Sequence, residues 1–163
     1  MSDEYADIVH RAESRRGEDA AFLRRLKNRR GVPWDDVVRD AADEAFRVID
    51  CLRCGRCCRD LGPRLTTADV GRLAKRERLK PARFVASYLR IDEDGDMVFR
   101  EMPCRYFGAD GRCLIYEDRP SACRAYPHLH ESRQKSRIEG HIRNLETCPA
   151  VIEAVRELRG RLG

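Results

Sequence analysis

From Pro33 onward, Trp34, Val37, Val38, Ala41, Ala42, Ala45 and Ile49 recur at intervals of three and four residues. That period puts them on one face of an amphipathic helix, and the stripe reads as core packing. Upstream, Glu18-Asp19 precede Arg24, Arg25, Lys27, Arg29, Arg30 and then Gly31. Acids first, bases last and a closing glycine suit one helix and its dipole. The first fifty residues, which hold no cysteine, are therefore expected to be helical.

The pattern then changes. Gly55 and Gly62-Pro63 are turn formers, so residues 51–63 are expected to be irregular. Thr66-x-x-Asp69 matches a capping box with Asp in place of Glu, and Val70, Leu73 and Ala74 continue it as a helix. Pro81 starts another short helix carrying Phe84, Val85, Tyr88 and Leu89. Residues 90–100 read as a hairpin turning at Asp94-Gly95. A second hairpin is expected at 104–116, turning through Gly108-Ala109-Asp110-Gly111 and setting Cys104 beside Cys113. Arg119-Pro120 opens a helical turn that presents Cys123. Residues 131–147 are polar and predict no element. Cys148-Pro149 opens the last helix, with Val151, Ile152, Val155, Leu158 and Leu162 on its apolar face.

The expected fold class is mainly α with small β-hairpins, an irregular α+β arrangement. Residues 1–47 form an N-terminal helical extension. Residues 48–163 form a single metal-organised cysteine-cluster domain with a C-terminal helix.

Composition sharpens this picture. The chain is 37% charged with a mean hydropathy of -0.65, so its apolar supply is thin for 163 residues. Such a chain needs crosslinks or metal to supplement its core. The acidic start Met1-Ser2-Asp3-Glu4-Tyr5 leads into no apolar run, so no export signal is expected. No apolar run approaches the ~20 residues that span a bilayer, and no membrane association is expected. A cytoplasmic address follows, where dense cysteines read as ligands in preference to disulfides.

Eight cysteines carry the chemistry, four of them packed as Cys51-x2-Cys54-x2-Cys57-Cys58. Cys104, Cys113, Cys123 and Cys148 lie far down the chain. Thiolates at two-residue gaps converge on a soft metal centre, and the distant four require the chain to fold back on itself. Adjacent side chains point apart, so Cys57 and Cys58 are expected to serve two different sites. One partition gives Cys51, Cys54 and Cys57 to the first site, with Cys123 or Cys148 as fourth ligand. Cys58, Cys104, Cys113 and the remaining cysteine form the second. A single site with four free thiols is the other arrangement. Four thiolates suit zinc and an iron–sulfur cluster equally. The three-cysteine loop and the Cys-Pro tip the expectation toward a 4Fe-4S cluster, with zinc as the alternative.

His128, His130 and His141 are read as surface residues, because the cysteines already suffice. Arg53, Arg56, Arg59, Arg105, Arg112, Arg119 and Arg124 each lie within four residues of a cysteine, where cations offset thiolate charge. Arg119 and Arg124, flanking Cys123, are the candidates for a structural role. The formal charge of +5 would suit an acidic partner. Eight thiolates remove eight charges and two dipositive centres return four, leaving a holo form near neutrality. Metal ions are thus the expected partners, a protein partner is compatible, and nucleic acid is not expected.

The order Cys51, Cys54, Cys57, Cys58, then Cys104-Arg-Tyr-Phe-Gly-Ala-Asp-Gly-Arg-Cys113-Leu-Ile-Tyr116, then Arg119-Pro120-Ser-Ala-Cys123-Arg124-Ala-Tyr-Pro127, then Cys148 resembles a known family. It is similar to the cysteine-cluster proteins named for C-x-x-C-x-x-C-C and described as a zinc- or iron-chelating domain. The resemblance covers about residues 48–150 and implies a metal-binding domain. Flagellin lysine-N-methylases look similar through this cysteine region, which implies that some members have enzymatic partners or activity. The chain holds no G-x-G-x-x-G nucleotide loop. Three functions stand: a redox, sensing or metal-handling protein; a zinc-stabilised interaction module, with the basic 24–30 helix as its candidate nucleic-acid contact; and a part in protein lysine methylation.

Overall fold

The computed structural model describes residues 5–163. In chain order the helices are α1 (Ala6–Glu13), α2 (Arg16–Asn28), α3 (Trp34–Val48), α4 (Cys51–Cys54), α5 (Arg56–Asp60), α6 (Thr67–Arg76) and α7 (Pro81–Tyr88). Strands β1 (Leu89–Ile91) and β2 (Met97–Phe99) follow, then α8 (Ser121–Ala125), α9 (Ile138–Asn144) and α10 (Pro149–Leu162). The mainly α class with a small antiparallel hairpin agrees with the sequence, though the described residues form one hairpin where two were expected.

The chain divides into two compact units. The first comprises the chain up to Cys54 together with Pro127–Gly163. Its centre is α3 packed on α10. Ala41, Ala42 and Ala45 on α3 and Ala150 and Ala154 on α10 are all buried, and small residues on both helices permit close approach. Val38, Val151, Val155 and Leu158 complete the buried faces, as the helical stripes require. Arg159 reaches from α10 to the buried carboxylate of Asp19 on α2, 2.6 Å away.

Residues 131–147 are not featureless. A 3-10 turn at Gln134–Arg137 leads directly into α9. The signal missed was the spacing Gln134, Ile138, His141, Leu145, four buried residues three to four apart. His141 is consequently no surface histidine: it is 3% exposed, and its Nε2 lies 2.6 Å from the Gln134 Oε1. Burial, with His128 and Arg137 adding to it, holds the His141 imidazole down to about 4, so it stays neutral. His128 is half-buried and exposed His130 pairs with Asp43 at 2.9 Å.

The second unit is Gly55–Tyr126. Thr66 caps α6: its hydroxyl accepts from the Asp69 N–H, while the Asp69 carboxylate accepts from the Thr66 N–H. Pro81 stands at the first position of α7, where its missing N–H costs nothing. β1 and β2 pair with Leu89 opposite Phe99 and Ile91 opposite Met97, and Gly95 turns the hairpin at a positive φ. Leu65, Val70, Leu73, Ala74, Phe84, Leu89, Phe99, Tyr106 and Ile115 form the core, with Cys104 and Cys113 packed against it. A core of that size is marginal on its own.

Two local expectations need correction. Residues 51–63 are not irregular, since α4 and α5 wind through them on either side of Gly55. The expected hairpin at 104–116 is reduced to one bridge, Phe107 opposite Cys113. The Cys104 N–H is used elsewhere, donating to the Cys58 carbonyl at 2.7 Å. The turn closes tightly instead, with the Gly108 N–H on the Arg112 carbonyl and the Leu114 N–H on the Tyr106 carbonyl.

Candidate metal centre

Four cysteines of the Gly55–Tyr126 unit act on one another. Cys58 rides on α5, Cys104 enters the tight turn, Cys113 leaves it, and Cys123 sits on α8. Burial pushes the Cys123 thiol up to about 12, and the nearby Cys58, Cys104 and Cys113 add to the rise. Burial likewise takes Cys104 to about 11, with Cys58 and Cys113 opposing its ionisation. Cys113 is raised by burial and by Cys58. Cys58 departs in the other direction, to about 7, because Cys57 donates a hydrogen bond to it and Arg59 and Arg119 supply positive charge. One poised thiolate among three suppressed ones is a set that resists ionising by itself. A cation reverses the balance, since each thiolate then gains more from the metal than it loses to its neighbours.

The helix that carries Cys123 is held at its first residue, Ser121, by a buried carboxylate. Asp69, 1% exposed, accepts from the Ser121 N–H and hydroxyl at the start of α8, from the Thr66 N–H and hydroxyl, and from Arg72 at 2.7 Å. Burial alone would raise its pKa, but these donors outweigh it and hold the carboxyl far below the usual range. Arg72 also donates to the carbonyls of Asp118 and Arg119. Arg124 donates to the carbonyls of Glu117 and Arg119. Both arginines thus fix the bend that leads into Cys123. The capping role of Asp69 was legible as a motif; its reach to Ser121, 52 residues on, was not.

The other unit carries Cys51 and Cys54 three positions apart on α4, hence on one face. Cys148 stands at the N-cap of α10 and is buried. Burial drives the Cys148 thiol up to about 12, and both Cys51 and Cys54 contribute to the rise. Cys57, on α5 with Cys58, is half-buried. Among the described residues no three His, Cys, Asp or Glu side chains converge closely enough to hold an ion as they stand. By chemistry the donors fit a soft centre: all are sulfur, most are partly buried, and arginines surround them.

Gly55 is the pivot of this region. Its φ of +60° is a left-handed conformation, and an added Cβ would lie 2.6 Å from the Phe107 ring and 3.1 Å from the Gly111 carbonyl oxygen. Gly55→Ala is expected to cost about 2–4 kcal/mol through backbone strain and overpacking. Thermal melting of the variant, with its metal content, checks this; a melting temperature equal to that of the parent would remove the steric argument.

A set of partly buried thiols carried by helices and a tight turn is the layout of a cysteine-rich chelating class of domain. Over residues 50–149 the chain matches the model of the CxxCxxCC family, described as "Putative zinc- or iron-chelating domain". That match covers more than half of the chain, and the chain belongs to this family. No curated protein and no solved structure matches it. No helix among the described residues is long and apolar enough to cross a membrane.

Proposed function

We propose that this protein binds metal through its eight cysteines in two separate sets and serves a redox, sensing or metal-handling role. Cys58, Cys104, Cys113 and Cys123 are one set. Cys51, Cys54 and Cys148 belong to the other, and Cys57, next to Cys58 on α5, is the eighth thiol. The observation that carries this reading is which thiols act on which: Cys58, Cys104 and Cys113 add to the rise at Cys123, whereas Cys51 and Cys54 add to the rise at Cys148. The metal form proposed is the iron–sulfur cluster. Its support is the C-x2-C spacing together with Cys148-Pro149, and a cluster tolerates a set of three cysteines where a structural zinc ion takes four protein ligands.

Cys123→Ser is expected to lose the metal of its own set and keep the other. Cys148→Ser is expected to do the converse. Metal analysis of the purified variants reads this directly, and loss of all metal from both would refute two independent sites. Metal affinity should also rise with pH between 6 and 8. The raised thiols are protonated there, so each must release a proton on binding, and each proton released steepens the dependence by roughly tenfold per pH unit. Competition with a chelator of known affinity measures the slope. A flat profile would mean that the ligands are not these buried thiols.

A further inference from the structure

A tetrathiolate site has a charge problem that the metal does not solve. Four thiolates around a dipositive ion, or around a cluster of the same charge, carry about -2 in total. A partly buried site of that charge needs cations close by. Four arginines act on the thiols of the Gly55–Tyr126 unit, but three of them have other attachments. Arg76 pairs with Asp118 at 2.7 Å and donates to the Leu114 carbonyl. Arg105 lies flat on the Tyr88 ring, 3.4 Å from its centroid, and pairs with Glu77. Arg59 stands over Phe107.

Arg119 differs in three respects. Its charge acts on Cys58, Cys113 and Cys123, three of the four thiols. Its guanidinium stacks on Tyr116 at 3.8 Å, and its carbonyl is pinned by Arg72 and Arg124, so both ends of the residue are fixed. Its Nε is buried with no hydrogen-bond partner among the described residues. A buried guanidinium N–H without an acceptor is costly, and the acceptor it lacks is one that an ionised sulfur would supply.

We propose that Arg119 is the positioning cation of the Cys58–Cys104–Cys113–Cys123 centre, donating its Nε–H to a metal-bound sulfur and offsetting the charge of the tetrathiolate. The proposal rests on the metal-binding reading above. Arg119 itself takes no part in coordination. It lowers the free energy of the loaded state and makes the bound thiolates poorer nucleophiles, because a sulfur lone pair engaged by N–H is less available.

The test uses the full-length protein as isolated with its metal. Wild type, Arg119→Gln and Arg119→Lys are compared for total metal, for the rate of metal release to a chelator, and for iodoacetamide alkylation at each cysteine by peptide mass spectrometry. Arg119→Gln is expected to release the metal of this set and expose its four cysteines at least tenfold faster, with Cys148 unchanged. Arg119→Lys keeps the charge and loses the planar donor, so its rates are expected to fall between those two. Arg119→Gln rates equal to wild type at these four cysteines would overturn the proposal, as would equal acceleration at Cys148, which would indicate general loosening. If Arg119→Gln does not fold, the lysine variant decides: a wild-type rate overturns the proposal and a faster one at these four sites alone supports it. Wild-type protein that holds no metal would refute the metal-binding reading instead.

Discussion

Removing metal under reducing conditions is expected to unfold the Gly55–Tyr126 unit while α3 and α10 keep their structure. The reasoning is energetic. The core of this unit is nine residues, with Cys104 and Cys113 packed on its edge. Binding a structural metal ion by four thiolates contributes on the order of 10 kcal/mol, comparable to the whole stability of a domain. Without it, three thiols stay protonated by burial and mutual repulsion, and α5 and the tight turn keep the Cys104–Cys58 backbone hydrogen bond and the Arg59–Phe107 contact. The α3–α10 pair buries Ala41, Ala42, Ala45, Ala150, Val151, Ala154 and Val155, a face that needs no metal. Hydrogen exchange before and after chelation is the measurement. Amides of Leu73, Phe84 and Phe99 should lose protection, and those of Ala42 and Ala154 should keep it. Undiminished protection at Phe84 in metal-free protein would show that the apolar core suffices.

Asp69→Ala is expected to be the most damaging substitution of a residue that is not a cysteine, costing about 3–5 kcal/mol. It takes away the carboxylate that accepts from Arg72, from the Ser121 N–H and from the Thr66 N–H, the last being the return half of the capping box of α6. Asp69→Asn keeps the shape and some of the acceptors but not the charge, and is expected to cost about half as much. The carboxylate lies outside any metal shell, yet both variants should loosen Cys123, since Ser121 begins the helix that carries it. Denaturant unfolding of the holo-protein gives the first effect, and the alkylation rate of Cys123 against that of Cys148 gives the second. A variant with wild-type stability would mean that the five donors around Asp69 find equal partners in solvent.

Much of the architecture was legible in the residues because local rules and burial agreed. The period of Val38, Ala41, Ala42 and Ala45, the capping box at Thr66, Pro81 and Asp94-Gly95 each announce an element that formed where expected. The failures have physical reasons. The cysteine loop looked irregular because of Gly55, but one left-handed residue suffices to turn between two helices and each side then winds as a helix. The second hairpin failed because the Cys104 N–H found a distant carbonyl, that of Cys58, which no local pattern reveals. Gln134 falls in a segment that reads only as polar, and His141 reads as a surface residue; an amide whose two N–H bonds face three carbonyls and whose oxygen meets an imidazole is satisfied enough to be buried. The eight cysteines stand out in the sequence as candidate ligands by their number and by the packed first four, but their grouping depends on which chain segments fold together.

The most direct test is metal and acid-labile sulfide analysis of protein purified without oxygen, with its visible spectrum. Iron and sulfide in matched amounts, in brown protein, is the expected result. Zinc without sulfide would replace the cluster by a simple ion while leaving the thiol sets in place. Protein free of any transition metal, with Leu73, Phe84 and Phe99 still protected from exchange, would contradict the central claim that metal organises this fold.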